Sequence, residues 1–173
     1  MVIIINGTSS SGKSSVVASL SKKLDGLYFV FGVDKFLEPS MPCQINMDIP
    51  EHLKIIDRAI SGFNLALGIY AQYIDFMIVD YVSSNPESLY EIAESLAAKE
   101  VFFVGVTAPL NVIEAREAER LDRQPGTARA QYELNQSYSY DLVIDTSVLS
   151  PDFAADEIIK HLKPGQALKK YTR

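Results

Sequence analysis

The feature that most restricts the fold of this chain is the sequence Gly-Thr-Ser-Ser-Ser-Gly-Lys-Ser-Ser at residues 7–15, directly after an apolar run at residues 2–5. Residues 7–14 match the pattern G-x-x-x-x-G-K-[ST], a phosphate-binding turn when it joins a strand to a helix. Both flanks fit, because β-branched residues precede the turn and a helical pattern follows it. The alternative is a serine-rich turn that only caps a helix. The full match in this context favours a nucleotide site.

Each part of this turn has an expected role. Its backbone N–H groups and the amino end of the helix would hold phosphate oxygens. Lys13 would reach the β- and γ-phosphates, and Ser14 would ligate Mg²⁺. The nucleotide-binding residues predicted here are Gly7, Thr8, Ser9, Ser10, Ser11, Gly12, Lys13, Ser14 and Ser15.

Short apolar segments alternate with longer helical patterns along the rest of the chain, as a parallel α/β sheet requires. The predicted strands cover residues 2–6, 28–34, 76–80, 101–106 and 142–145. The predicted helices cover residues 14–24, 51–73, 86–98, 109–121, 127–136 and 151–162. A length of 173 residues suits one domain over residues 1–173. We expect its basic end, residues 164–173, to be loosely held.

The charge of the chain limits its partners. Sixteen Lys and Arg against 22 Asp and Glu give a net charge of −6, which argues against general binding to nucleic acid or an anionic membrane. The single cysteine cannot form an internal disulfide, and the two histidines are too far apart for Cys/His zinc clustering. No secretion signal is visible, so a cytoplasmic location is expected. Homo-oligomerisation stays open.

Two aspartates end predicted strands at the edge where a parallel sheet gathers its ligands. Asp34 is the candidate carboxylate that takes the proton of an acceptor hydroxyl. It could instead cap a short helical turn beginning at Lys35. Asp80 follows four apolar residues and has the form of the acidic residue that helps hold hydrated Mg²⁺, or it caps a turn before Asn85.

Three arginines, Arg116, Arg120 and Arg123, lie at spacing i, i+4 and i+7, which places them on one helix face if the helix reaches Arg123. They adjoin a Pro-Gly break, so residues 116–129 could form a lid over a nucleotide. Arginine suits this task because its planar donors clamp phosphate oxygens and stay charged. Alternatively, pairs with Glu117 and Glu119 only support an exposed helix.

Together these motifs resemble the chloramphenicol phosphotransferase-like family of small phosphate-loop kinases, in patches over nearly the whole chain. The resemblance is carried by Ile4-Ile5-Asn6-Gly7, Ser9-Ser10, Gly12-Lys13-Ser14, Phe31-Gly32-Val33-Asp34, Glu38, Met41-Pro42, Ile78-Val79-Asp80, Val104-Gly105-Val106, Glu114, Arg116-Glu117, Arg120, Asp122-Arg123, Tyr140-Asp141, Val143 and Asp145-Thr146.

The resemblance implies a three-layer phosphate-loop fold of nucleoside-monophosphate-kinase type, with a five-stranded parallel sheet flanked by helices and its first strand central. It also implies ATP as the phosphate donor and Mg²⁺ as the metal. The catalytic residues that it implies are Asp34 as general base and Lys13, Arg120 and Arg123 as stabilisers of the moving phosphoryl group. Arg116 and the loop at Asp145, Thr146 and Ser147 would lie on the nucleotide, the loop near its adenine.

The expected activity is therefore transfer of the γ-phosphate of ATP to a hydroxyl of a small molecule, as in chloramphenicol 3-O-phosphotransferase. Two departures make chloramphenicol itself a doubtful acceptor: Asp80 is followed by Tyr81 where that enzyme has a second aspartate, and residues 43–50 replace a longer insertion. Two alternatives stay open. One is a kinase of a nucleotide, sugar or cell-wall precursor, and the other is a regulatory protein that binds a nucleotide without an acceptor.

Overall fold

The fold is built on one sheet of five parallel strands in the order β2-β3-β1-β4-β5. The structure is a computed structural model that describes residues 1–37, 49–83, 85–120 and 126–172. The strands are β1 Val2–Asn6, β2 Phe29–Gly32, β3 Met77–Tyr81, β4 Val101–Thr107 and β5 Leu142–Asp145. Five parallel strands with helical crossovers confirm the predicted α/β fold with its first strand central.

Helices cover both faces of this sheet. They are α1 Lys13–Lys23, α2 Val33–Leu37, α3 Ile49–Tyr73, α4 Pro86–Ser95, α5 Leu110–Ala118, α6 Thr127–Ser137 and α7 Pro151–His161, with a 3-10 helix at Leu168–Tyr171. Alternate residues of β1 face opposite layers, because successive side chains of a strand point to opposite faces. Ile3 and Ile5 pack in the cluster that contains α1 and α7, whereas Val2 and Ile4 pack in the cluster that contains α3 and α4.

The central position of β1 fixes the position of the glycine turn. Every residue of β1 is buried, and Ile4 lies between Val79 of β3 and Phe103 of β4. Two neighbouring parallel strands therefore end beside the turn that follows Asn6. No helix among the described residues is long and apolar enough to cross a membrane.

Three elements end two or three residues earlier than the sequence predicts. Strand β2 stops at Gly32, and Val33 and Asp34 belong to the short helix α2. Helix α4 stops at Ser95. Helix α5 stops at Ala118, so the chain has left the helix before Arg120. The helical spacing proposed for the three arginines therefore does not hold, and Arg123 lies outside the described residues.

The expectation of a loosely held tail at residues 164–173 is wrong for the part that the structure describes. Ala167 and Leu168 are buried in the core. The backbone N–H of Gly165 donates to the carbonyl oxygen of Val101, at 2.8 Å. The carboxylate of Asp141 accepts hydrogen bonds from the next two amides. Two buried apolar side chains and these hydrogen bonds hold the terminus on the core, although its basic, glycine-containing composition suggested a mobile end.

Candidate phosphoryl-transfer site

The glycine turn curls tightly between β1 and α1. Gly12, the residue before α1, has φ of 95°, a left-handed conformation that favours glycine. A side chain at Gly7 would overlap the carbonyl oxygen of Val106, so glycine is needed there for close approach to β4. The turn thus has the strand, glycines and helix start that its phosphate-binding role requires.

Three consecutive serine hydroxyls in this turn are buried without a hydrogen-bond partner among the described residues. They are the Oγ atoms of Ser9, Ser10 and Ser11. Buried polar atoms in proteins are almost always hydrogen-bonded, and an exception calls for a ligand or water that completes it. Three free donors beside a helix amino terminus fit an anion such as a polyphosphate.

Lys13 is held inside the turn. Its side chain is buried, and its Nζ atom donates to the backbone carbonyl of Thr8 at 2.8 Å. A buried ammonium group in an acidic protein supplies the local positive charge that a polyanion needs. Its position agrees with the predicted role on the phosphates.

The two predicted metal residues meet directly. Ser14 Oγ donates to Asp80 Oδ2 at 2.7 Å, which joins the start of α1 to β3. Burial raises the pKa of Asp80, and the nearby Lys13 and the Ser14 hydroxyl oppose this shift, while Asp34 adds to it. Mg²⁺ usually takes one or two protein oxygens and keeps several waters, so a hydroxyl and a carboxylate suit it.

The described residues contain no group of three or more His, Cys, Asp or Glu side chains that could hold a metal. One hydroxyl and one carboxylate are a donor set that would suit a hydrated Mg²⁺ shared with phosphate oxygens. Zn²⁺ in a structural site would require four nitrogen or sulfur ligands.

Asp34 opens onto the same space as this pair. A cavity of about 350 Å³ lies between α1, β2 and α2, and Ser14, Asp34, Lys35 and Asp80 contribute to its wall. The rest of the wall is mainly apolar, from Val17, Ala18, Val30 and Val33 among others. Asp34 is the second residue of α2 and is exposed, and because this helix begins at Val33, no turn starts at Lys35 as the alternative interpretation had it.

On the other side of the turn, Arg116 reaches the loop after β5. Its Nη1 and Nη2 atoms donate to Oγ1 and O of Thr146 at 2.8 and 3.0 Å. Thr146 Oγ1 in turn donates to the carbonyl of Ser11 at 2.7 Å. Asp145 accepts hydrogen bonds from the amide and hydroxyl of Ser147. Of the predicted nucleotide residues of this loop, Thr146 therefore adjoins the glycine turn, whereas Asp145 and Ser147 bond to each other.

The structure says less about the other two arginines of the predicted lid. Arg120 is exposed and follows α5, where its backbone N–H donates to the carbonyl of Glu117. The structure does not describe Arg123. Glu117 is buried, and its carboxylate accepts from the amides of Gly126 at 2.9 Å and Ala128 at 2.7 Å. Glu117 thus caps α6 and joins α5 to it, a role that the sequence did not suggest.

Helix α6 also contacts the glycine turn through residues that the sequence analysis missed. Gln131 Oε1 accepts from the backbone N–H of Ser9 at 2.9 Å. One turn later, Asn135 Oδ1 accepts from Asn6 Nδ2, also at 2.9 Å. The available signal was the i, i+4 pair of amide side chains on α6 and a polar Asn6 at the end of a fully apolar strand.

The family comparison agrees with this geometry. The model of the chloramphenicol phosphotransferase-like protein family matches residues 1–163. No curated protein sequence matches the chain.

Solved structures share the fold at low sequence identity. The tunicamycin resistance protein of Deinococcus radiodurans is 22% identical with a TM-score of 0.68, covering 92% of this chain and 93% of that one. A sugar kinase from Janibacter sp. HTCC2649 is 17% identical with a TM-score of 0.67, covering 96% of each chain. Shikimate kinase from Aquifex aeolicus is 16% identical with a TM-score of 0.61, covering 93% of this chain and 95% of that one. By its family match over residues 1–163, this chain belongs to the chloramphenicol phosphotransferase-like protein family.

Proposed function

We propose that this protein is an ATP-dependent, Mg²⁺-dependent kinase that transfers the γ-phosphate to a hydroxyl group of a small molecule. The observation that carries the proposal is that Asp34 shares one cavity wall with Ser14 and Asp80. A carboxylate for the acceptor and a donor set for Mg²⁺ thus meet at the glycine turn. A protein that only binds a nucleotide does not need a carboxylate for an acceptor.

The residues divide the reaction between them. The turn amides and Lys13 would bind the β- and γ-phosphates, and Ser14 and Asp80 would hold Mg²⁺ with its waters. Mg²⁺ supplies charge neutralisation on the phosphate oxygens. Asp34 would accept the proton of the acceptor hydroxyl. As the hydroxyl oxygen of the acceptor bonds to the γ-phosphorus, the bond between the γ-phosphorus and the bridging oxygen breaks, and ADP leaves with that oxygen. Arg120 and Arg123 are the proposed donors to the moving phosphoryl group.

The cavity also bears on the acceptor. Among the described residues that line it, Lys35 is the one cation, beside two carboxylates and several apolar side chains. An acceptor that already carries phosphate would be repelled by Asp34 and Asp80. We therefore favour an uncharged alcohol with an apolar part over a nucleotide or a sugar phosphate.

The test is to incubate the protein with Mg-ATP and a panel of candidate alcohols, including chloramphenicol and tunicamycin, nucleosides, sugars and cell-wall precursors. Mass spectrometry then identifies the compound that gains a phosphoryl group. If the phosphorylated compound is a nucleotide, a sugar or a cell-wall precursor and no other alcohol reacts, the protein is a kinase of that class of metabolite. If the protein binds ATP and phosphorylates nothing in the panel, the regulatory interpretation gains.

With an acceptor in hand, Asp34→Asn tests the base. The variant should bind ATP with normal affinity, and its kcat should fall by about 10²–10⁴-fold, the usual contribution of a general base. Asp25→Asn, an exposed carboxylate just after α1, is the matched control and should transfer normally. Transfer by Asp34→Asn at the rate of the unchanged protein would exclude Asp34 as the base.

A further inference from the structure

The carboxyl-terminal half of α3 is apolar on two opposite faces. Residues 60–73 contain no charged side chain. One face, including Phe63 and Leu67, is buried against the sheet. On the other face, Leu65, Ile69 and Tyr73 are exposed at 67%, 59% and 84%. This outer face also carries Gln72 but none of the charged residues that a helix at a protein surface normally has there.

This exposed face continues onto the edge of the sheet. Tyr70 packs on Phe31 with ring centroids 5.0 Å apart, and Phe31 stacks on Phe29 at 6.2 Å. Phe29 lies in β2, which is the edge strand, and is itself 48% exposed. We call the group Phe29, Phe31, Leu65, Ile69, Tyr70 and Tyr73 the α3–β2 surface. An edge strand beside an apolar patch is an arrangement that proteins usually cover.

The size of this surface suits a stable protein interface. From the exposed fractions of Phe29, Leu65, Ile69, Tyr70 and Tyr73, the surface offers roughly 700 Å² of accessible area, close to the ~800 Å² per partner of a standard interface. Depletion of charged residues at the centre of the patch is also the composition of an interface core.

We propose that the α3–β2 surface pairs with the same surface of a second copy of this chain. The charges at its ends are complementary under two-fold symmetry. Arg58 lies toward the beginning of the exposed face and Asp75 directly after its end, and both are exposed. In an antiparallel pair of α3 helices, Arg58 of each copy would meet Asp75 of the other, since an isologous interface places each residue opposite its complement.

Gly62 supports this arrangement, because it lies on the same exposed face and a side chain there would meet nothing within 4 Å. Two helices could approach closely at this position. An anionic lipid surface is a poorer occupant, because the chain has a net charge of −6 and membranes of that kind attract basic segments. The proposal does not depend on the proposed kinase activity.

The first test measures the mass of the full chain by light scattering and sedimentation over about a hundredfold range of concentration. We expect twice the chain mass of 19.2 kDa, with dissociation at the dilute end. Leu65→Glu and Ile69→Glu should give folded monomers that keep the ATP affinity of the unchanged protein, with a Tm that no longer depends on protein concentration. Phe153→Glu, an equally exposed apolar residue on α7, should stay dimeric.

A monomer at every concentration, or dimers that persist in both glutamate variants, would overturn the proposal. Capture by anionic vesicles in place of self-association would overturn it as well. If the glutamate variants do not fold, the charged residues at the two ends of the surface, Arg58 and Asp75, provide the test of the dimer. Arg58→Asp should weaken the dimer and Arg58→Asp with Asp75→Arg should restore it, whereas equal weakening in the single and double variants would contradict the antiparallel pairing.

Discussion

At the scale of single residues, Asp80 combines a proposed role in holding Mg²⁺ with a cost to the fold. Burial raises its pKa, although Lys13 and the Ser14 hydroxyl act in the opposite direction. At pH values between the ordinary pKa of this carboxyl and its raised pKa in the folded protein, Asp80 is more often ionised in the unfolded chain than in the folded one. The stability contributed by this group is therefore complete below the ordinary value and is lost as pH rises through the raised value.

It follows that Asp80→Asn should make the metal-free protein more stable at neutral pH while removing Mg²⁺-dependent transfer. Each kcal/mol gained would raise Tm by about 2–4 °C for a chain of this size. Thermal unfolding with a chelator, followed from acid to neutral pH, measures the effect. The gain should vanish toward acid pH, and the exposed Asp25→Asn should show no such gain. A variant less stable at neutral pH would contradict this account of burial.

Gln131 gives a second prediction at this scale. Its Oε1 atom accepts from the Ser9 amide inside the glycine turn. Gln131→Ala removes one neutral hydrogen bond, so the KM for ATP should rise about 2–10-fold while kcat changes little. Gln136→Ala is the control, because that side chain lies on the same helix and donates to Thr107 instead. Equal effects of the two changes would show that only the helix, not the contact with the turn, matters.

The residues of the site differ in how far sequence alone could predict them. Ser14 was predicted from the match of residues 7–14 to the phosphate-binding pattern, and Asp80 from its place after four apolar residues of a strand. Gln131 could not be predicted in this way, since it is 122 positions from Ser9 and its contact depends on how α6 returns over the turn.

At the scale of elements, a side-chain contact joins the end of α5 to the start of α6. Glu117 on α5 caps the first turn of α6 through two amide hydrogen bonds. Sequence spacing suggested surface ion pairs with arginine, because periodicity shows which residues share a face but not which face is buried. The ends of α5 and β2 were misplaced for a related reason: local pattern defines element limits poorly.

Glu117→Gln should therefore weaken both the fold and transfer. The free energy of unfolding should fall by about 1–2 kcal/mol, comparable to loss of a helix cap. Transfer should fall as well, since the segment between α5 and α6 carries the proposed phosphate-binding arginines. Denaturant unfolding and kinetics measure the two effects.

Glu114→Gln provides the control, because Glu114 is also on α5 but its bond to Arg129 of α6 is an exposed ion pair. Such pairs contribute about 0–1 kcal/mol. Equal losses in the two variants would mean that the buried cap has no special part in holding the segment.

At the scale of the whole molecule, the sheet was the most predictable feature. Strongly apolar strands that alternate with helices have few other solutions. The carboxyl terminus was predicted wrongly because Lys163-Pro164-Gly165 has the composition of a loose end. The terminus is held by the carboxylate of Asp141 and by the carbonyl oxygen of Val101 at the start of β4. Neither residue is adjacent to it in sequence.

Asp141 links that terminus to the sheet. Its carboxylate accepts from the amide of Phe103 in β4 and from those of Gln166 and Ala167, at 2.8–3.0 Å. Asp141→Ala should lower the free energy of unfolding by about 2–4 kcal/mol, because hydrogen bonds to a charged group contribute more than neutral ones. The corresponding fall in Tm is about 5–15 °C.

Removal of residues 166–173 should reproduce most of this loss, since it takes away two of the three donors and the buried Ala167 and Leu168. In both cases the KM for ATP should stay unchanged, because the docking site is on β4 and the 3-10 helix rather than at the glycine turn. Lys170→Ala, which changes an exposed side chain of the same terminus, should unfold as the unchanged protein does. Normal stability of the truncated chain, measured by thermal and denaturant unfolding, would mean that the terminus rests on the sheet without supporting it.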